Sequence, residues 1–556
     1  VNDLDPGLLA RVRGPLIRAG LDPRRAAIEL RRVGLIDLEA DRPLDGIMHL
    51  LDAISDAADP GDAMMCLTGL ADTDRGLFDE VCADPAWMAR VVAVGGASRP
   101  LGDLVARHAD ASRGLVSSRP VTADQVAADV REALRSSEPS QQARAAAITA
   151  VRRRNTAHIA ARDLTGAATV DDVAAELSAL AEGVLAGTLT VLHEERSDGS
   201  PRARLAVIGM GKLGGYELNY VSDVDVMFVH EPTEGDDEAA AEAIAVFEQL
   251  LALLNASTTM GRAYEIDPTL RPEGRSGALS RTPASFEAYW ERWAKTWEFQ
   301  ALIKARPVAG DVELGAEFLE RASRFVYPAS LDPGVVGEIQ RMKGRVEAKP
   351  EVVRDGERQV KLGPGGLRDI EFAVQLLQLV HGRADRSLRV TGTVGALAAL
   401  GRGGYVADED ATAFTDAYRT LRQVEHRLQL ANERRTHTIP VDPDRQERLA
   451  RSLGYRPAPD APAREEFMRD LRAVQGVVRG LHAKLFYRPL LESHAAVSAG
   501  DAELARPVLD DDAARERLRA LGFRNAAAAL RDVRALTEGV SRSARTLQVV
   551  LPAFLY

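Results

Sequence analysis

Residues 209–231 read GMGKLGGYELNYVSDVDVMFVHE, and the hydrophobic pattern on either side of this stretch changes from a strand period to a helix period. Leu205 to Met210 (LAVIGM), behind the charged turn Arg202 to Arg204, is a short apolar run that predicts a buried strand. Gly209, Gly211, Gly214 and Gly215 crowd its exit, and Val224 to Val229 (VDVMFV) predicts a second strand. Glu238 to Asn255 carries an apolar stripe at helical spacing, and Ala263 to Ile266 is a candidate third strand. Strand, glycine turn, strand, helix, strand is a small α/β unit.

Helical segments surround that unit. Short helices broken by Pro and Gly are expected from Leu8 to about Val130, and long Ala-rich amphipathic segments at Val121 to Arg154 and Val170 to Leu192. Ser285 to Arg306 is expected to form one helix, with Phe286, Trp290, Trp293 and Trp297 on a single buried face. Further helices are predicted at Leu367 to Val380, Ala411 to Ala431, Glu465 to Tyr487 and Asp510 to Tyr556, and no repeat of fixed period is visible. Composition agrees: hydrophobic residues make up 46%, charged residues 28% and aromatics only 5%, which excludes a largely disordered chain and favours packed helices over sandwiches or barrels. A length of 556 residues allows three or four domains, and the expected divisions are 1–130 (helical), 131–330 (catalytic), 331–495 (helical bundle) and 496–556 (helical connector). The fold class is therefore α+β, predominantly helical, with a small mixed sheet.

A net charge of −11 argues against duplex nucleic acid or an anionic membrane as main partner. Cys66 and Cys82 supply neither a disulfide framework nor a four-ligand zinc site, which predicts a reduced, cytoplasmic protein, with neither a membrane span nor export expected. His381, His426, His437 and His482 lack ligand-like spacing.

The chemistry centres on Ser222-Asp223-Val224-Asp225. Residues i and i+2 of a strand share a face, so Asp223 and Asp225 stand side by side and repel, and a hard divalent cation relieves that repulsion. The alternative is a pair of acids at a strand end facing solvent. Small residues ahead of the pair let backbone N–H groups approach a phosphate, so Gly214 and Gly215 are candidate nucleotide-binding positions, with Ser222 a further hydroxyl donor. Asp267, near the end of the third strand, either joins the pair in a metal site or opens the turn before Pro268. Arg271 and Arg275 suit phosphate oxygens, with a surface ion pair to Glu273 the alternative. Lys304 and Arg306 either reach a phosphate or complement a helix C-terminus. Lys361 leads the Gly-rich run Leu362 to Gly366, an anion site or a flexible joint before the next helix.

Five ordered blocks resemble the glutamine synthetase adenylyltransferase/adenylyl-removing enzymes, a family of polymerase-β-like nucleotidyltransferases. They are residues 209–231, LRPEGRSGALSRT (270–282), WAKTWEFQALIKARPVAGD (293–311), KLGPGGLRDIEFAVQLLQL (361–379) and LHAKLFYRPLLES (481–493). Family members carry two catalytic halves in tandem, and this chain has one Gly-Gly and Asp-x-Asp block. The close at LFYRPLLES and the stretch Arg515 to Leu547 resemble the end of the adenylyl-removing half and the connector that follows it.

The resemblance implies phosphorolysis of adenylyl-tyrosine on glutamine synthetase, giving ADP, with ATP-dependent adenylylation as the rival direction and a catalytically silent docking module as a rival of another class. It implies Mg²⁺ at Asp223, Asp225 and Asp267, a nucleotide turn at Gly214 and Gly215, and PII signalling protein and glutamine as regulators. Pro268-Thr269 departs from the more basic pair common in the family.

Overall fold

The computed structural model describes residues 20–37, 47–197, 201–233, 238–329, 334–347, 350–458, 460–497 and 525–537, with positions 13, 14, 16, 17, 42, 43 and 515 besides. The described residues are mostly helical, as the composition predicts, with a small mixed sheet where the apolar runs at 205–229 predict strands. The chain forms two compact units. One comprises residues 1–326 and 419–471, the other 327–418 and 472–556.

In the first unit, a run of helices from Pro60–Thr73 to Ala109–Arg113 precedes α1 (Ala123–Ser136) and the two longer helices α2 (Gln141–Leu164) and α3 (Val170–Ser197). Side-chain caps start several of them: Asp59, Asp84 and Thr122 each accept a backbone N–H in the first turn, satisfying donors that a helix leaves orphaned. Val170–Arg196 is long and apolar enough to cross a membrane, yet 72% of its most apolar window is buried inside the protein. Gly183 and Gly187 explain its fit against α1: a Cβ there would stand 2.5 and 2.7 Å from the carbonyl oxygens of Ala123 and Ala127.

The sheet follows. β1 (Ala203–Gly209) and β2 (Asp223–Pro232) pair antiparallel from Ala203↔Pro232 to Gly209↔Val226, joined by the single-turn α4 (Gly211–Gly214) and an irregular loop. After α5 (Ala239–Leu254), β3 (Glu265–Asp267) adds to β2 in parallel, with Asp225 opposite Asp267. The short β4 (Ser280–Arg281) also pairs with β2 in parallel, and β5 (Arg306–Gly310) closes the other side against β1. The central order is β3-β2-β1-β5. Phe228 of β2 stacks on Phe247 of α5 at 4.3 Å between ring centroids, and both are fully buried.

The helix expected over Ser285 to Arg306 is divided. α6 (Pro283–Arg292) ends before Trp293, and α7 (Thr296–Leu302) restarts with Glu298 Oε1 accepting the Lys295 N–H at 3.0 Å. Arg306 and Pro307 then run extended in β5, as the residue before a proline favours. Phe286 and Trp290 are buried against Phe318, but Trp293 is 71% exposed and Trp297 40%, so the expected four-residue buried face stops after its second member.

Helix α8 (Val312–Val326) completes this part of the unit, and residues 419–471 return to it. They hold the second half of α9 (Asp408–Leu430), a loop, the helix Pro443–Ser452 and the start of α10 (Ala463–Val497).

In the second unit the Gly-rich run is internally satisfied. Gln359 Oε1 accepts the N–H groups of Lys361 and Leu362, Asp369 accepts that of Gly365 at 2.8 Å, and the Gly366 and Arg368 N–H groups meet the carbonyls of Gly363 and Lys361. Gly365 has φ 76° and lies where a Cβ would meet the Gln475 carbonyl at 2.3 Å, a position only glycine fills without strain. Lys343 pairs with Asp369 at 3.1 Å.

Candidate functional site

Parallel pairing of β2 with β3 sets Asp225 and Asp267 in register, and Asp223 lies two residues back on the same face as Asp225. The three carboxylates are half-buried, and one oxygen from each falls within 4.8 Å of the others. Such a set of anionic oxygens, concentrated at a strand end and partly withdrawn from water, fits a hard divalent cation. It is the one cluster of three or more metal-type ligands among the described residues.

The cluster is braced from several directions. Ser222 Oγ donates to Asp223 Oδ1 at 3.4 Å, and the Thr269 N–H donates to Asp267 Oδ1 at 2.8 Å. Asp267 therefore both opens the turn at Pro268 and faces the other acids. Met210 N–H donates to the Asp225 carbonyl at 2.9 Å, holding α4 beside β2. Gly211, at φ 51°, comes so close that a Cβ there would lie 2.7 Å from Asp225 Oδ2. Gly214 packs against the Lys304 carbonyl, where a Cβ would stand at 1.7 Å. The N–H groups of Gly214 and Gly215 close the helical turn on the carbonyls of Met210 and Gly211.

Arg271 is half-buried and donates to three backbone carbonyls, Pro268 at 2.8 Å and Gly277 and Arg275 at 3.2 Å, so it braces the loop that follows Asp267. Burial pulls its pKa below the ordinary guanidinium value, against the attraction of Asp267. Arg275 is exposed on the same loop. Glu273 instead pairs with Arg281. Lys304 is buried and pairs with Glu217, while Arg306 pairs with Glu182 and covers the Tyr216 ring at 3.6 Å. Lys361 belongs to the second unit, in the satisfied loop described above.

Sequence reasoning gave the residues that return from 419–438 a helix but no role at the site. Arg422, 2% exposed, donates to the carbonyls of Glu217 and Leu218 and to Asn219 Oδ1, and Gln429 Oε1 accepts the Val221 N–H at 3.0 Å. Glu425, fully buried, lies 2.9 Å from Arg422, 3.2 Å from Lys212 and 2.7 Å from His437 Nδ1. Together they clamp the loop 217–221 that delivers Asp223. Beyond the helix, Arg435 Nη1 meets Asp223 Oδ2 at 2.9 Å. The signal available in the sequence is a cluster of charged residues, Arg422, Glu425, Arg427, Glu433, Arg434 and Arg435, on and after an otherwise apolar-striped helix.

Residues 88–321 match the family described as glutamate-ammonia ligase adenylyltransferase, and residues 336–486 match that described as GlnD PII-uridylyltransferase. The chain is 43% identical to a bifunctional glutamine synthetase adenylyltransferase/adenylyl-removing enzyme of Streptomyces avermitilis, over 99% of this chain and 54% of that protein. Proteins of the same name from Mycolicibacterium smegmatis and Cutibacterium acnes are 41% and 38% identical, over 94% and 95% of this chain and 54% and 55% of theirs. The chain thus spans about half the length of the curated relatives it matches.

Proposed function

We propose, on the premise that the chain belongs to the glutamine synthetase adenylyltransferase/adenylyl-removing family, that it removes AMP from an adenylylated tyrosine of glutamine synthetase by Mg²⁺-dependent phosphorolysis. An orthophosphate oxygen attacks the phosphorus of the tyrosyl-AMP diester, a P–O–P linkage forms, and the P–O bond to tyrosine breaks. ADP leaves, and the phenolate oxygen takes the proton that hydrogen phosphate brought in.

The observation that carries this reading is the trio of Asp223, Asp225 and Asp267, with oxygens within 4.8 Å of one another. Mg²⁺ held by them supplies the neutralisation that lets one phosphate anion approach another. The protein's own part is positioning. Ser222 orients Asp223, Gly211 admits the α4 backbone beside Asp225, and the turn at Gly214 and Gly215 keeps α4 tight against the sheet. Arg271 fixes the loop after Asp267, from which Arg275 reaches toward phosphate. No covalent nucleophile is required, because orthophosphate is itself the attacking group.

The direction follows from the resemblance of residues 481–493 to the close of the adenylyl-removing half. PII protein and glutamine are proposed as regulators on the same ground, and the cytoplasm, where glutamine synthetase works, as the location. Incubating the purified chain with adenylylated glutamine synthetase, phosphate and Mg²⁺ should release ADP. Release only of pyrophosphate, from ATP and unmodified synthetase, would reverse the direction.

A further inference from the structure

Arg435 meets one member of the carboxylate trio. Its Nη1 lies 2.9 Å from Asp223 Oδ2, and its side chain is 50% exposed against 25% for Asp223. The short loop that carries it is fastened on both sides. Two residues before it, Glu433 takes a left-handed φ of 47°, with its carboxylate 2.8 Å from Arg153 and 4.0 Å from Arg152. Arg152 in turn donates to the Tyr220 carbonyl at 3.1 Å, just ahead of Asp223. Two residues after it, His437 Nδ1 stands 2.7 Å from the buried Glu425. A half-exposed guanidinium is thus presented to the acids from a backbone held by the part-buried Glu433 ion pair on one side and the His437–Glu425 contact on the other.

A guanidinium and a divalent ion compete for the same carboxylate of Asp223. A guanidinium displaced from a carboxylate at the rim of a metal site keeps its charge and its planar fork of donors, and the matching acceptor is a phosphate. We propose that Arg435 is an anion-anchoring residue of this site: it engages Asp223 through Oδ2 and passes to a phosphate oxygen when a divalent ion takes that carboxylate. The proposal rests on the reading of the trio as a phosphate-transfer centre. The phosphate belongs either to orthophosphate or to the nucleotide, and the chemistry of recognition is the same.

The test uses the purified chain and binding alone. Mn²⁺ affinity, measured by electron paramagnetic resonance of free Mn²⁺ without nucleotide, should rise about 2- to 5-fold in Arg435→Gln, the scale of a partly exposed ion pair removed as competitor. With Mn²⁺ saturating, calorimetric affinity for orthophosphate or for ADP should fall by about 10-fold or more, as expected for a lost charge-assisted contact. Loss confined to orthophosphate assigns Arg435 to the attacking group, and loss confined to ADP assigns it to the nucleotide. Arg435→Lys should compete with Mn²⁺ as the wild type does and recover only part of the phosphate affinity. Unchanged or weaker Mn²⁺ binding in Arg435→Gln overturns the proposal, as does unchanged binding of both phosphates. If Mn²⁺ binds the wild type no better than Asp225→Asn, the metal reading itself fails. Metal binding that responds to Asp225 and ignores Arg435 overturns this proposal alone.

Discussion

Two positions test the site most directly. Replacing Asp223 and Asp225 by Asn keeps the shape of the strand end and removes two of the three negative charges. Turnover should drop by at least about 10³-fold while the far-ultraviolet circular dichroism melt stays in place, because the loss falls on electrostatic stabilisation of the reacting phosphates. Unchanged activity in that double variant would sink the metal-site reading. Gly211→Ala places a methyl 2.7 Å from Asp225 Oδ2 at φ 51°. Left-handed backbone costs an alanine about 1–2 kcal/mol, and the clash displaces the Asp225 carboxylate, so denaturant unfolding should report that loss, alongside weaker Mn²⁺ binding if the trio holds the ion as proposed. The glycines flagged from sequence, Gly214 and Gly215, were legible as a tight turn. That Gly211 makes the close approach to the carboxylate was not, because the sequence does not state which glycine faces which strand.

At the level of elements, α9 is held to the sheet loop by charge as much as by apolar contact. Arg427 pairs with Asp163 of α2, which also accepts the Tyr220 hydroxyl at 2.8 Å, and all three are buried. Burial, followed by the charge of Asp163, pushes the Tyr220 phenol well above its ordinary pKa, so tyrosine stays a donor. Arg427→Met strands the Asp163 carboxylate without its cation. A destabilisation of about 3–5 kcal/mol in chemical denaturation is expected, and a change under about 1 kcal/mol would mean that the pair is not buried in solution. The strands at Leu205 to Met210 and Val224 to Val229 and the helix at Glu238 to Asn255 were readable because their apolar periods are long. The third strand was found two residues late, at Glu265–Asp267, since three residues carry no period. The Trp stripe misled for the opposite reason: helical spacing continued past Arg292, while Pro307 required an extended strand to complete the sheet. A charged cluster at 422–435 names no partner by itself, and so the clamp and Arg435 were invisible until the fold brought them to 217–223.

For the whole molecule, buried histidines set the response to acid. Burial, and then the charge of Arg422, hold His426 well below its ordinary pKa, and burial lowers His230. Both are neutral in the folded protein, whereas the unfolded chain protonates them near pH 6.5. Their contribution is fully present above that pH and is lost as the pH falls below it toward the depressed folded values, at up to about 1.4 kcal/mol per pH unit for each proton taken up. The thermal midpoint should therefore decline between pH 7.5 and pH 5.5, before most carboxylates titrate. A flat midpoint over that interval would contradict the burial of His426.

The first unit is assembled from residues 1–326 and 419–471, with 327–418 given to the other. Because a ribosome delivers the chain in order, the three acids emerge long before Arg422, Gln429 and Arg435. Until residues 419–438 are made, the acidic trio has neither the clamp on 217–221 nor the guanidinium at Asp223. A message cut short in that interval yields all three acids without the residues that brace them, so the acidic trio is complete before the structure that positions it.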